Sequence, residues 1–338
     1  MPAASHPPAY RLERSTAASR IGGILAALLV LILAALPFFG SSATMRTIVE
    51  FISLLTLAQM WNLLAGYAGL VSIGQQAYIG LGGYALFVFG NDLGINPFLA
   101  VPLAGLAAAA LALPTAAIVF RLHGAYFAVG TWVVAEVYRL IIANMAWQGG
   151  GSGKTLTAIR GFSRWNRESI TYWIALAIAA GTVALVYLLL RSRHGLALTA
   201  IRDSEAASAS LGVNVFRAKL MVYVLAAFGA GLIGALVYLN LLRISPDAAF
   251  GVNWTAFMIF IVVIGGIGTI EGPIVGTVIF FALRETLSDF GTWYLILLGA
   301  VAVLTMLRAP AGIWGFVARR YDLRFFPVQR RVRLHDGD

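Results

Sequence analysis

The chain has 338 residues, of which 60% are hydrophobic and only 11% charged. Soluble domains carry about 25% charged residues, so a mean hydropathy of +0.86 excludes a soluble fold and marks an all-α, polytopic integral membrane protein embedded in a lipid bilayer. The absence of cysteine excludes disulfides and thiolate metal sites, and the net charge of +10 sits mainly in short loops and tails, a mark of membrane topology and not of nucleic-acid binding.

A spanning helix needs roughly 20 apolar residues. About ten segments approach that length: 21–39, 47–66, 70–89, 97–120, 124–146, 170–190, 218–239, 254–267, 273–287 and 292–307. The last three are short, and 254–287 reads as one broken element or two crossings. This divides the chain into a tail (1–20), a membrane domain (21–307) and a basic tail (308–338). Basic residues before the first segment and Ser41-Ser42-Ala43 after it also fit a signal peptide, but its apolar run is long and further spans follow at once, so it is expected to be retained.

With the N-terminus placed in the cytoplasm and the segments alternating, 16 of the 24 Lys and Arg residues fall inside and six outside. That bias predicts both termini in the cytoplasm. The exception is the basic loop 147–169, which falls outside.

The third segment is broken by glycines between Gly66 and Gly83 and carries Ser72, Gln75, Gln76 and Tyr78. Glutamine is uncharged and can guide a zwitterion without trapping it. The fifth segment places Glu136 and Arg139 three residues apart on one face near its middle, with Thr131 close by. A lone charge at that depth costs roughly 2.5–3.5 kcal/mol, so the two form a structural pair or line an aqueous path. Glu50, Arg284 and Glu285 read as interfacial or packed between helices.

"WQGGGSGKTLTAIRG", 147–161, imitates a phosphate loop. The pattern Gly-x-x-x-x-Gly-Lys-Thr requires a glycine where Gln148 stands, and a strand before it, whereas residues 124–146 read as a membrane helix. An ATP site is therefore not expected. The remaining readings are a glycine turn and a docking surface for an external binding protein, with Arg160, Arg164 and Arg167 available to acidic partners.

Residues 191–217 form the sizeable inner connector. Asp203 or Ser204 can cap a helix start and Gly212 can end it. Ala206, Ala207, Ser210 and Leu211 then share one side at helical spacing. The segment is either a helix for a groove on another protein or a connecting loop with one helical turn. Farther on, Gly268, Gly272 and Gly276 recur every four residues, as do Ala227, Gly231 and Ala235, which predicts helix faces open to close packing. Pro273 is expected to interrupt a continuous helix there. Interrupted segments in the two halves point to a transport path. The histidines at 6, 123, 194 and 335 show no metal-ligand spacing, and no catalytic constellation is visible.

Glu205-Ala206-Ala207 followed by Gly212 resembles the EAA loop of ABC-importer permeases, with one residue more before the glycine than the common form. The wider stretch from Ala200 to Val215 resembles LivM-type branched-chain amino acid permeases. So do "GYAGLVSIGQQAYIGLGGYA" (66–85), "GAYFAVGTWVVAEVYRLIIAN" (124–144) and "VVIGGIGTIEGPIVG" (262–276). The likeness runs from about residue 46 to 316. It implies a permease subunit of the bacterial inner membrane that forms half of a translocation pathway with a homologous LivH-like permease. Two cytoplasmic ATPase subunits would hydrolyse the ATP, a periplasmic or extracytoplasmic binding protein would deliver substrate, and this chain would bind no cofactor. Arg202, Asp203, Glu205, Ala206, Ala207 and Gly212 would meet the ATPases. A urea or amide importer is the near alternative. An ion-coupled secondary transporter using Glu136 and Arg139, and a purely structural subunit, are the distant ones.

Overall fold

The structure is a computed structural model that describes residues 10–13, 17–287, 293–321, 325–327 and 331–334. Among the described residues, eight helices are long and apolar enough to cross a membrane. They contain α1 (Ala17–Ala35), α2 (Ser42–Asn62), α4 (Pro97–Val119), α5 (Ala125–Ala143), α6 (Arg164–Arg191), α9 (Val215–Leu241), the pair α10 (Pro246–Ala249) and α11 (Asn253–Gly265), and the pair α13 (Trp293–Arg308) and α14 (Gly312–Tyr321). Two expected spans are present as helices but fall short of that length. The third is α3, Gln76–Phe87, continued by a π-helical turn at Val88–Asp92. The ninth is α12, Glu271–Leu287. Between α6 and α9 lie α7 (Arg193–Asp203) and α8 (Glu205–Ser210). The protein is thus an all-helical, polytopic membrane protein.

The order of burial follows sequence. In α1 only 11% of the spanning window is buried, against 78% for α2 and its π-helical extension Leu63–Tyr67. From Ile24 to its end α1 is aliphatic and mostly faces outward; α2 carries Gln59, Asn62 and Thr56, all buried, and occupies the centre between α6, α9, α11 and α12. Polar groups need partners away from water, and the centre of the bundle supplies them.

Small residues set the closest packing. α9 lies between α3 and α4. Ala227 and Ala235 are fully buried, a Cβ on Gly231 would meet the Ala108 methyl, and one on Gly82 would overlap the Gly231 carbonyl. The 227–231–235 stripe is therefore a packing face. Likewise, side chains at Gly272 and Gly276 would overlap the carbonyls of Gly266 and Ile261, so α11 and α12 form a tight hairpin.

That hairpin corrects two expectations. Gly268 is not on the helical stripe; it lies in the connector 266–270 with φ +76°. Pro273 does not interrupt a helix either. It is the third residue of α12, in the first turn, where backbone N–H groups have no intrahelical partner and proline is tolerated. The chain turns earlier, where Gly266 and Gly268 adopt positive φ.

Contacts sort the helix termini into two ends. One end, here the lock end, holds the finish of α2, the 266–270 connector, α7 and α8. The opposite end holds the starts of α2 and α6 and the finish of α3, α5 and α12. Strand β1 (Tyr10–Glu13) pairs antiparallel with β4 (Arg331–Leu334), so the two tails run side by side. The other strand pair joins β2 (Lys154–Thr155) to β3 (Arg243–Ile244) at the opposite end.

Candidate functional site

The breaks after α2 and before α12 meet each other. Asn62 is fully buried. Its Nδ2 donates to the Thr269 carbonyl at 2.8 Å, and its Oδ1 accepts from the Gly268 N–H at 2.8 Å. Gln59 Nε2 donates to the Ile270 carbonyl at 2.7 Å. Two amides one helical turn apart thereby hold backbone groups of three consecutive connector residues, Gly268, Thr269 and Ile270. Gly66 completes the seam, because a Cβ there would stand 2.7 Å from the Gly268 nitrogen. Asn62 and Gln59 do not stand out in the sequence; only an amide pair at helical spacing within an apolar run hinted at them.

The connector 191–217 is mostly helical. α6 continues to Arg191, α7 follows after Ser192, and the Ser204 hydroxyl caps α8 by accepting from the Ala207 N–H at 3.3 Å. Ser204, and not Asp203, is the cap. α8 ends at Gly212, whose φ of +84° is reached without strain only by glycine. Ala206, Ala207 and Ser210 are exposed, and Leu211 is 84% exposed. Glu205 is paired with Lys219 of α9. Arg202 works in two directions: Nε and Nη2 donate to Asp203, while Nη1 donates to the Gly66 carbonyl at 2.9 Å. The Arg202 side chain thus ties the exposed tip to the seam.

Ser72, Gln75, Gln76, Tyr78 and Thr131 are each at most 2% exposed. Most are consumed in bonds within the chain. The Ser72 carbonyl accepts from Trp61 Nε1, and the Ser72 hydroxyl accepts from the Gly74 N–H. Thr131 Oγ1 accepts from the Ile73 N–H. Gln76 bonds Thr255 through both its backbone and its side chain, and the hydroxyls of Tyr78 and Tyr223 stand 2.9 Å apart. These groups hold the non-helical segment 69–75 and the start of α3 against α5, α9 and α11. The carboxamide of Gln75 alone is buried with no partner.

Glu136 and Arg139 do pair, through two guanidinium nitrogens. Both stand past the centre of α5, Glu136 closer to it than Arg139, on the side of the opposite end. Arg139 Nη1 also donates to Asp247 at 2.6 Å. Asp247, which the sequence reading passed over, makes this a three-member cluster between α5 and α10. It removes the need for a buried lone charge.

The loop after α5 is structured. Lys154 Nζ lies 2.6 Å from Asp92, Thr155 pairs with Arg243, and a Cβ on Gly153 would overlap the Ile244 carbonyl. A phosphate-loop lysine must be free to reach phosphates; this ammonium is held by a carboxylate. Arg164 and Arg167 stand in the opening turns of α6, which starts six residues before the predicted 170 because Ser163 caps it. Arg164 and Arg46 both donate to the buried Glu168. Arg160 is exposed and Arg167 half-buried, and neither makes an ion pair among the described residues.

Residues 43–306 match the family described as "Branched-chain amino acid transport system / permease component". The chain is 30% identical over 316 residues to the high-affinity branched-chain amino acid transport system permease protein LivM of Escherichia coli K12, covering 86% of this chain and 74% of that one. It is 29% identical to the LivM of Salmonella typhimurium, covering 84% and 73%. A shorter match, 30% over 128 residues, covers 36% of this chain and 40% of the ribose import permease protein RbsC of E. coli K12. The chain belongs to the branched-chain amino acid transport permease family, and as a permease component it carries no ATPase site of its own.

Proposed function

We propose that this permease forms half of the translocation pathway of an ATP-driven importer for branched-chain or related hydrophobic amino acids in a bacterial inner membrane. The lock end faces the cytoplasm in this reading, as the distribution of Lys and Arg favours, and both tails lie there. A second, LivH-like permease completes the pathway. Two ATPase subunits take hold of α8, through Glu205, Ala206 and Ala207, and a binding protein delivers substrate at the opposite end near Arg160 and Arg167. The substrate class rests on the names of the relatives, E. coli LivM foremost.

One observation carries the coupling: Arg202, next to the exposed tip, grips the Gly66 carbonyl at the seam. Tilting α8 therefore moves the end of α2 relative to the 266–270 connector, where Asn62 holds the pathway closed. A side chain linking two packed elements can bias a two-state arrangement. The test is uptake of labelled leucine by the complex purified with its partner subunits and reconstituted into vesicles. ATP-dependent uptake that vanishes when Glu205 or Gly212 is replaced, while ATP hydrolysis persists, supports the reading. Labelling that reaches residues 191–217 from the external side of intact cells defeats it. Uptake by this chain alone under an ion gradient without ATP would establish the secondary-transporter alternative.

A further inference from the structure

A cavity of about 420 Å³ opens beside α2 near the end opposite the lock, between α9, α11 and α12. Its volume lies within the range of small-molecule sites, which combine apolar walls with a few placed polar groups. Here the polar groups are of both signs. Glu50 of α2 and Arg284 of α12 form an ion pair in the lining, with side chains 48% and 37% exposed. Val237, Trp254 and Phe257 supply hydrocarbon and aromatic wall. Asn240 adds a carboxamide that makes no bond among the described residues.

Toward the lock the path is shut. Phe257 packs edge-on against the fully buried Phe280 at 5.2 Å. Below them Gln59 and Asn62 hold the connector. From Glu50 to Asn62 is about 18 Å along the helix. The cavity therefore lies toward the end opposite the lock, with the Phe257–Phe280 contact and the Gln59–Asn62 seam between it and the lock.

We propose that this cavity is a zwitterion subsite for an amino acid with an apolar side chain. The ligand's carboxylate takes Arg284, its ammonium takes Glu50, and its hydrocarbon lies against Val237, Trp254 and Phe257. A half-exposed ion pair gains little in water, so an incoming zwitterion opens it readily and leaves both charges paired. A ligand lacking either charge would strand one partner. The inference deepens the importer reading and rests on it.

The test uses the complex purified with its partner subunits, reconstituted into vesicles with ATP. The probes are L-leucine and its diazirine analogue photo-leucine. In the wild type, adducts are expected on Val237, Trp254 or Phe257, and excess L-leucine should suppress them. Glu50→Gln and Arg284→Gln each remove a charge-assisted hydrogen bond, and both labelling and leucine uptake should fall roughly tenfold or more. Val237→Trp, which fills the cavity without touching the charges, should block uptake as well. Co-purification of the partner subunits with each variant shows that assembly survives. Ligands lacking one charge, 3-methylbutylamine and 4-methylpentanoate, should compete poorly with labelling. Adducts confined to other helices, or charge variants that label and transport as the wild type does, overturn the subsite while wild-type uptake leaves the importer reading standing. So does a phospholipid that co-purifies in the cavity and is lost from both variants without effect on uptake. Absence of ATP-dependent amino-acid uptake in the wild type defeats both.

Discussion

The Arg202 guanidinium donates to the Gly66 carbonyl at 2.9 Å, so the helical connector between α6 and α9 reaches the π-helical end of α2 through one side chain. The carbonyl it takes belongs to the last turns of α2, whose final acceptors have no intrahelical donor. Gly66 in turn abuts the Gly268 backbone.

Replacing Arg202 by alanine should release that carbonyl. A hydrogen bond from a charged donor contributes about 1.5–3 kcal/mol, and the low end applies to a guanidinium that is 39% exposed. Fold and assembly should survive a loss of that size. Leucine taken up per ATP hydrolysed should fall about tenfold, whereas Arg202→Lys, which keeps the charge but loses the fork to Asp203, should fall between the two. Equal uptake per ATP in Arg202→Ala and wild type would remove Arg202 from the coupling path.

Asn62 is the second test. Asn62→Leu leaves the Gly268 N–H and the Thr269 carbonyl of the connector without partners, and because both residues are half-buried each loss falls toward the low end of about 1–3 kcal/mol. Thermal unfolding in detergent should shift down by several degrees. Asn62→Asp puts a carboxyl at the same fully buried position; ionised, it turns a second acceptor and a desolvated charge on the Thr269 carbonyl, so at neutral pH it should unfold at least as early as Asn62→Leu, and later in acid, where the protonated carboxyl can donate again. Unfolding temperatures that match wild type in both variants would mean that the amide does not hold the seam.

Much of this architecture is written in hydropathy. Every expected span has a helix, because an apolar run of that length in lipid has no other way to satisfy its backbone. The α8 cap and its glycine stop were also legible, since Ser204 and Gly212 act through local chemistry. What escaped was the long-range pairing. Nothing local in Asn62 announces a connector 206 positions away, and nothing in Asp247 announces Arg139, 108 positions distant. The four-residue glycine spacing misled at Gly268 because the chain turns before the stripe begins. The helical run of α7 was hidden by its mixed polar composition, which reads equally well as loop.

Gly276 and Gly181 offer a matched pair of helix glycines. A methyl at Gly276 would overlap the Ile261 carbonyl, while one at Gly181 meets nothing within 4 Å. Gly276→Ala should force α11 and α12 apart and cost about 1–3 kcal/mol. Gly181→Ala should be neutral or raise stability by about 0.5–1 kcal/mol, since alanine loses less backbone freedom in a helix. Thermal unfolding of the two variants side by side decides whether the α11–α12 hairpin is as tightly packed as the backbone geometry requires; equal midpoints would contradict it.

The loop 147–163 calls for charge reversal and not deletion. Removing residues 149–153 would pull Lys154 away from Asp92 and slip the pairing of β2 with β3, so lost delivery would report a broken loop. Arg164 is a poor choice too, because it helps hold the buried Glu168. Arg160 is exposed and, like Arg167, makes no ion pair among the described residues, so Arg160→Glu and Arg167→Glu change surface charge at little structural cost. If a binding protein docks here through acidic groups, each reversal should slow its association several-fold, and the difference should shrink as salt rises and screens the charges. Unchanged delivery at low salt by both variants would place the docking surface elsewhere on that end of the bundle.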